Sequence, residues 1–101
     1  MVELNPQQIQ DEIIHVINME KGPYNEWYVG ITSNPHLRLF QDHNVEVKDS
    51  WWIIKKAKSS EDARSVEKTL IEIYGMDGGG GGGDEKTVYV YAYKKTVTTN
   101  P

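Results

Sequence analysis

From Trp27 to His43 the chain reads Trp-Tyr-Val-Gly-Ile-Thr-Ser-Asn-Pro-His-Leu-Arg-Leu-Phe-Gln-Asp-His, a run that admits a strand, a capped turn and a helix in that order. Trp27, Val29 and Ile31 alternate with Tyr28, Gly30 and Thr32, the period of a half-buried strand. Tyr28 and Gly30 therefore share a face. Asn34 before Pro35 starts a helix, because the Asn side chain can take an orphan amide and proline at the first helical position gives up no hydrogen bond. Leu37, Leu39 and Phe40 would anchor that helix and leave Arg38 on the side of Gln41 and Asp42. A phenol, a bare glycine surface and a cation thus gather near one strand end.

The flanking segments set the fold class. Asn5 to Glu12 carries a cap, a proline and helix formers, so residues 1–12 predict a short helical extension. Ile13 to Met19 is rich in β-branched residues and precedes the turn cluster Glu-Lys-Gly-Pro-Tyr-Asn, which predicts a hairpin with the Tyr28 strand. If Met19 faces Glu26, then Ile17 lies opposite Tyr28 and His15 opposite Gly30, which places His15 beside the phenol. Ser50 to Ala57 predicts a third strand. Trp51 and Trp52 read first as packing groups, with base stacking beside Lys55 and Lys56 as the sharper alternative.

Ser59-Ser60-Glu61-Asp62 opens a second long helix, which Gly75 closes. Ala63, Val66, Leu70, Ile73 and Tyr74 fall on one arc of its wheel, and Glu67 falls inside the same arc. A carboxylate turned toward an apolar interior costs free energy unless something cationic meets it. Either Glu67 serves a site, or it sits on the rim of the arc and pairs with Arg64 or Arg38. Gly78 to Gly83 follows a helix and precedes a strand, the reverse of a phosphate-cradling loop, so 76–85 reads as a flexible glycine-rich loop. Thr87 to Val97 predicts the last strand, with Val88, Val90 and Ala92 on one face and Tyr89, Tyr91 and Tyr93 on the other. Thr98 to Pro101 reads as a loose tail. The order β-β-α-β-α-β predicts a single α+β domain over 1–101, a mostly antiparallel sheet packed by two main helices.

Composition narrows the chemistry. No cysteine is present, which removes disulfides and thiolate metal sites and leaves carboxylate, imidazole or hydroxyl to hold any metal. No apolar run approaches the roughly 20 residues of a membrane span, so the expected setting is cytoplasmic, with no membrane contact. The net charge of −4 is unevenly placed: residues 1–50 carry −5 and the remainder +1, with Lys55, Lys56 and Lys58 clustered. Phosphate neutralisation needs a basic surface, and that strip is the place for one.

Tyr28-Val29-Gly30, Arg38 ten residues past the tyrosine, the His43-Asn44 pair, and Glu67 in Ser-Val-Glu-Lys-Thr-Leu-Ile-Glu-Ile-Tyr-Gly resemble the second motif, the following helix and the glutamate helix of the GIY-YIG nuclease family. The resemblance spans Ile13 to Gly75. It implies a small sheet-and-helix domain that hydrolyses DNA phosphodiesters with one Mg²⁺ or Mn²⁺. Arg38 would then steady the phosphate, and Glu67 would hold the metal. The family's first motif, a strand ending in Gly-Ile-Tyr, has His15 and Ile17 at the equivalent positions here, so Tyr28 and His15 would handle the attacking water. Gly30, His43, Lys55 and Lys56 are the expected DNA-binding residues.

Two other readings fit the same residues. One is a GIY-YIG-like module that has lost turnover and binds nucleic acid or protein. The other is a homo-oligomer, a homodimer among them, that uses the tyrosine strand as an edge.

Overall fold

The computed structural model describes residues 1–79 and 83–101. The fold is α+β, built on a five-stranded sheet. The strands are β1 (Glu3–Leu4), β2 (Trp27–Thr32), β3 (Trp52–Ala57), β4 (Asp77–Gly78) and β5 (Tyr89–Lys94). Two long helices are present, α1 (Pro6–Glu20) and α2 (Ser60–Glu72), together with a shorter π-helical segment, Leu37–Asp42. The sheet order is β1-β3-β5-β2-β4. Its three central strands are antiparallel, and the two-residue strands at the edges pair in parallel.

Ile13–Met19 is helical, which corrects the expected hairpin. The whole span Pro6–Glu20 is one helix, capped by a reciprocal pair in which Asn5 accepts from the Gln8 amide at 2.8 Å and Gln8 accepts from the Asn5 amide at 3.0 Å. Ile9, Ile13 and Ile17 recur every fourth residue and are fully buried, so helical periodicity outweighs the modest β preference of branched side chains. The strand next to β2 is β5, which lies in the middle of the sheet. A central strand has no free edge, so the tyrosine strand is not available for edge-to-edge assembly.

The sheet has two unlike faces. Val29, Ile31, Val90 and Ala92 meet α1 and α2 through Ile9, Ile13, Ile17, Ala63, Val66 and Leu70. Tyr91, Tyr93 and Ile54 lie on the other face against Leu39 and Val45, with Tyr28, Phe40, Trp52 and Tyr89 packed around them. Trp52 has a packing role: its ring meets Phe40 edge-on at 5.1 Å, and its indole donates to the Val47 carbonyl at 3.1 Å. Trp51 remains 40% exposed. Ile73 follows the last residue of α2 and is 75% exposed, so it leaves the apolar arc, while Tyr74 packs against the core as expected. Leu37 is also exposed, leaving Leu39 and Phe40 to anchor its segment.

Two loops depart from the sequence reading. Gly78 pairs with Val29, so the glycine run begins inside a strand; the reading of its middle as flexible lies outside the described residues. The final segment is tied down. Asn100 donates its amide to the His43 carbonyl at 2.8 Å, and Asn44 donates to the Thr98 carbonyl at 3.0 Å.

Candidate functional site

β2 delivers Tyr28 and Gly30 to the same face, as its alternation requires. Beyond Thr32 the chain turns: the Asn34 side chain accepts from the Leu37 amide at 3.2 Å, the cap expected from the Asn-Pro pair. The helix then widens, with the His43 amide bonded five residues back to the Arg38 carbonyl at 2.9 Å. Such π turns recur at functional sites because they re-aim side chains. Here the widening sets Arg38 at the pocket and His43 under the sheet.

β4 pairs only with Tyr28 and Val29, which leaves Gly30 to Thr32 without a strand partner on that side among the described residues. Groups from both faces of the sheet meet around this gap. Tyr28, Gly30, Arg38 and Glu67 line one pocket of about 300 Å³, together with Thr32, Ser33, Asp84, Thr87 and Tyr91. Four of the residues selected from sequence thus lie in one concavity, drawn from β2, the π-helical segment and α2.

Glu67 is the most informative of them. It is 9% exposed, and among the described residues it has no salt bridge. The rim pairing with Arg64 or Arg38 is not formed. Arg64 instead donates to the Gly83 carbonyl at 2.9 Å, and Arg38 meets Asp42 at 3.3 Å. Burial raises the Glu67 pKa above its ordinary value, with the Arg64 charge opposing the shift. An unpaired carboxylate facing a pocket fits a hard cation that keeps most of its waters, because Mg²⁺ needs only one or two protein carboxylates. No group of three or more metal-ligating side chains occurs among the described residues, so the carboxylates of the pocket wall, Glu67 foremost, are the seat available.

Tyr91 is the residue that sequence reasoning missed. It pairs directly with Gly30, and a β-carbon on Gly30 would overlap its hydroxyl and ring. The bare glycine is what lets the Tyr91 ring lie across β2. The Tyr91 hydroxyl shares a 2.7 Å hydrogen bond with His43 Nε2. Burial pushes its pKa up to about 12, against the lowering effect of the adjacent Arg38. Tyr28 is likewise raised by burial, with Arg38 again opposing. Arg38, beside the Tyr91 hydroxyl, is held above its ordinary pKa and stays charged.

The remaining expected residues lie elsewhere. His15 is exposed on α1 and does not line the pocket; Tyr91 occupies the position opposite Gly30 that His15 was expected to fill. His43 is 5% exposed and sits behind Tyr91, not in the pocket, so direct substrate contact is replaced by contact through the phenol. Lys55 pairs with Glu12 at 3.0 Å, and Lys56 with Glu3 at 3.7 Å. Lys55 lies opposite Val90 in the register, on the helix-covered face, and Lys56 lies opposite Tyr89 and over its ring; neither lysine lines the pocket. Asp84 brings a second carboxylate to the pocket wall, from a position where only a loop was expected.

No helix among the described residues is long and apolar enough to cross a membrane. Comparison with family models, with curated proteins and with solved structures gives no match.

Proposed function

We propose that this pocket hydrolyses a DNA phosphodiester with the help of one Mg²⁺ or Mn²⁺, as the resemblance to GIY-YIG nucleases implies. The observation that supports it most is the meeting of Tyr28, Arg38 and a buried Glu67, without a salt bridge among the described residues, in a single pocket. Metal-assisted phosphodiester hydrolysis needs a seat for the cation, a fixed positive charge for the phosphate and a group that takes a proton from water.

Glu67 would hold the ion, which when bound supplies Lewis acidity and a more acidic water. Arg38 presents a planar fork suited to phosphate oxygens. Its partner Asp42 is about half exposed, so that ion pair is weak and easily exchanged for a phosphate. Tyr28 and Tyr91 are neutral phenols at pH 7, since burial raises both. They orient the attacking water by hydrogen bonding, and Tyr91 can take its proton only by passing its own to a neighbour.

The test is incubation of the purified chain with supercoiled, branched and single-stranded DNA in Mg²⁺ or Mn²⁺. Cleavage that is lost in Glu67→Gln and Arg38→Ala is the expected result; no cleavage of any substrate with either metal would remove the reading. A binding module without turnover is the second reading. It is favoured by the position of His15, exposed on α1 and outside the pocket, so that it does not stand in for the first-motif tyrosine. Retained DNA affinity without cleavage would support it.

A further inference from the structure

The His43 ring has three hydrogen-bond partners, and two of them, of different character, define its protonation state. Nδ1 lies 2.6 Å from the Asn100 carbonyl oxygen, and Nε2 lies 2.7 Å from the Tyr91 hydroxyl. A carbonyl only accepts, so Nδ1 must carry the proton. The Tyr93 hydroxyl, 3.0 Å from the same Nδ1, then receives a share of that N–H. In a neutral imidazole with Nδ1 protonated, Nε2 is an acceptor, and the Tyr91 hydroxyl must donate to it. The Tyr91 oxygen keeps its lone pairs for Arg38 and the pocket.

We propose that the segment Thr96–Pro101 is a positioning element for the reaction: the Asn100 carbonyl holds His43 as the Nδ1–H tautomer, so that Nε2 accepts the proton of Tyr91. The catalytic use of this network rests on the hydrolytic reading above. In the step itself, water in the pocket gives a proton to the Tyr91 oxygen while Tyr91 passes its own proton to His43 Nε2. The water oxygen forms the new bond to phosphorus, and the departing oxygen leaves with the electron pair of the broken P–O bond. His43 becomes an imidazolium whose Nδ1–H remains on Asn100. It returns its proton through Tyr91 to solvent water after the product leaves.

The arrangement is built for this use. The Asn100 amide also bonds the His43 carbonyl, and Asn44 holds the Thr98 carbonyl, so the segment grips the imidazole from both its backbone and its ring. The groups facing the ring are Tyr28 from β2, Tyr91 and Tyr93 from β5, and the charges of Arg38 and Asp42 from its own segment. Burial lowers the His43 pKa, against the raising effect of the hydrogen bond to Asn100, and the Arg38 charge adds to the lowering, so the ring is neutral and able to accept. Without the Asn100 carbonyl, both ring nitrogens would face hydroxyls. A hydroxyl can donate or accept, so the tautomer would be free to change.

The test is nitrogen-15 NMR of the histidine ring at pH 7 in three proteins: the full chain, a chain shortened to end at Val97, and Asn44→Gly. The last keeps a left-handed backbone at a residue with φ of 55° while releasing Thr98. The full chain is expected to show Nδ1–H, and both variants a shift toward Nε2–H. In the cleavage assay the variants are expected to lose roughly 10- to 100-fold in kcat with KM unchanged. A full chain showing Nε2–H or imidazolium at pH 7 would overturn the proposal, as would variants that keep the Nδ1–H signature. If the shortened chain does not fold, Asn44→Gly decides. A full chain that shows Nδ1–H but cuts no DNA would leave the tautomer assignment standing and sink its catalytic use.

Discussion

Tyr91 lies across Gly30, its paired residue on the neighbouring strand, in space that any β-carbon at Gly30 would fill. The glycine is therefore required by a close approach of side chain to backbone, and the phenol reaches the pocket because of it.

Gly30→Ala must displace a fully buried ring. The expected cost is about 1–3 kcal/mol, the usual penalty for overpacking, read from denaturant midpoints. The Tyr91–His43 hydrogen bond should be broken or lengthened with it, visible as a shift of the His43 ring signals. An alanine variant as stable as the parent would mean that Tyr91 does not occupy this position.

Glu67→Gln is expected to stabilise the fold at neutral pH while abolishing metal binding. The Glu67 pKa is raised by burial above the ordinary 4.5, so the folded chain holds this proton more tightly than the unfolded one. The contribution to stability is fully present below pH 4.5 and is lost as pH rises through the folded value. Thermal melts of the two proteins should differ at pH 7 in favour of Gln and converge below pH 4.5. A variant less stable at pH 7 would indicate a favourable partner for the carboxylate.

His43 has the opposite sign. Burial lowers its pKa below the ordinary 6.5, so its contribution to stability is present above pH 6.5 and is lost as pH falls through the folded value. His43→Gln should remove that part of the pH dependence between neutral and acid conditions. The charged neighbours Arg38 and Asp42 remain in the variant, and Tyr28, Tyr91 and Tyr93 are neutral throughout the window. A slope in the variant identical to that of the parent would contradict a buried, neutral imidazole.

Lys55→Ala and Lys56→Ala test where the basic strip points. Both lysines are in partly exposed ion pairs with Glu12 and Glu3, which contribute about 0–1 kcal/mol. Cleavage and DNA affinity should be unchanged, whereas Arg38→Ala should remove cleavage and Arg38→Lys should restore only part of it, since ammonium cannot match the planar fork. Loss of DNA affinity in either lysine variant would return the strip to the substrate path.

How much of this was legible in the sequence depended on range. The alternation of β2, the Asn34 cap and the inward Glu67 are local patterns, each written within a few residues. Arg38 followed from the cap. Ile13–Met19 misled because its β-branched composition signals a strand, while Ile9, Ile13 and Ile17 at every fourth position signal a helix that needs the whole span to be seen. Tyr91 could not be found from local pattern, because its role comes from a strand pairing between distant parts of the chain. The signal present was the alternating tyrosines of β5 and a glycine in β2 that lacked a turn to explain it. The hold of Asn100 on His43 has no sequence signature.

The central claim is that one buried carboxylate seats a cation beside Arg38 and two phenols. Paramagnetic broadening by Mn²⁺, followed residue by residue in NMR spectra, tests it most directly. The signals of Tyr28, Gly30, Glu67 and Tyr91 should broaden together at low Mn²⁺, and the effect should vanish in Glu67→Gln. Broadening centred on other acidic residues, or unchanged in that variant, would contradict it.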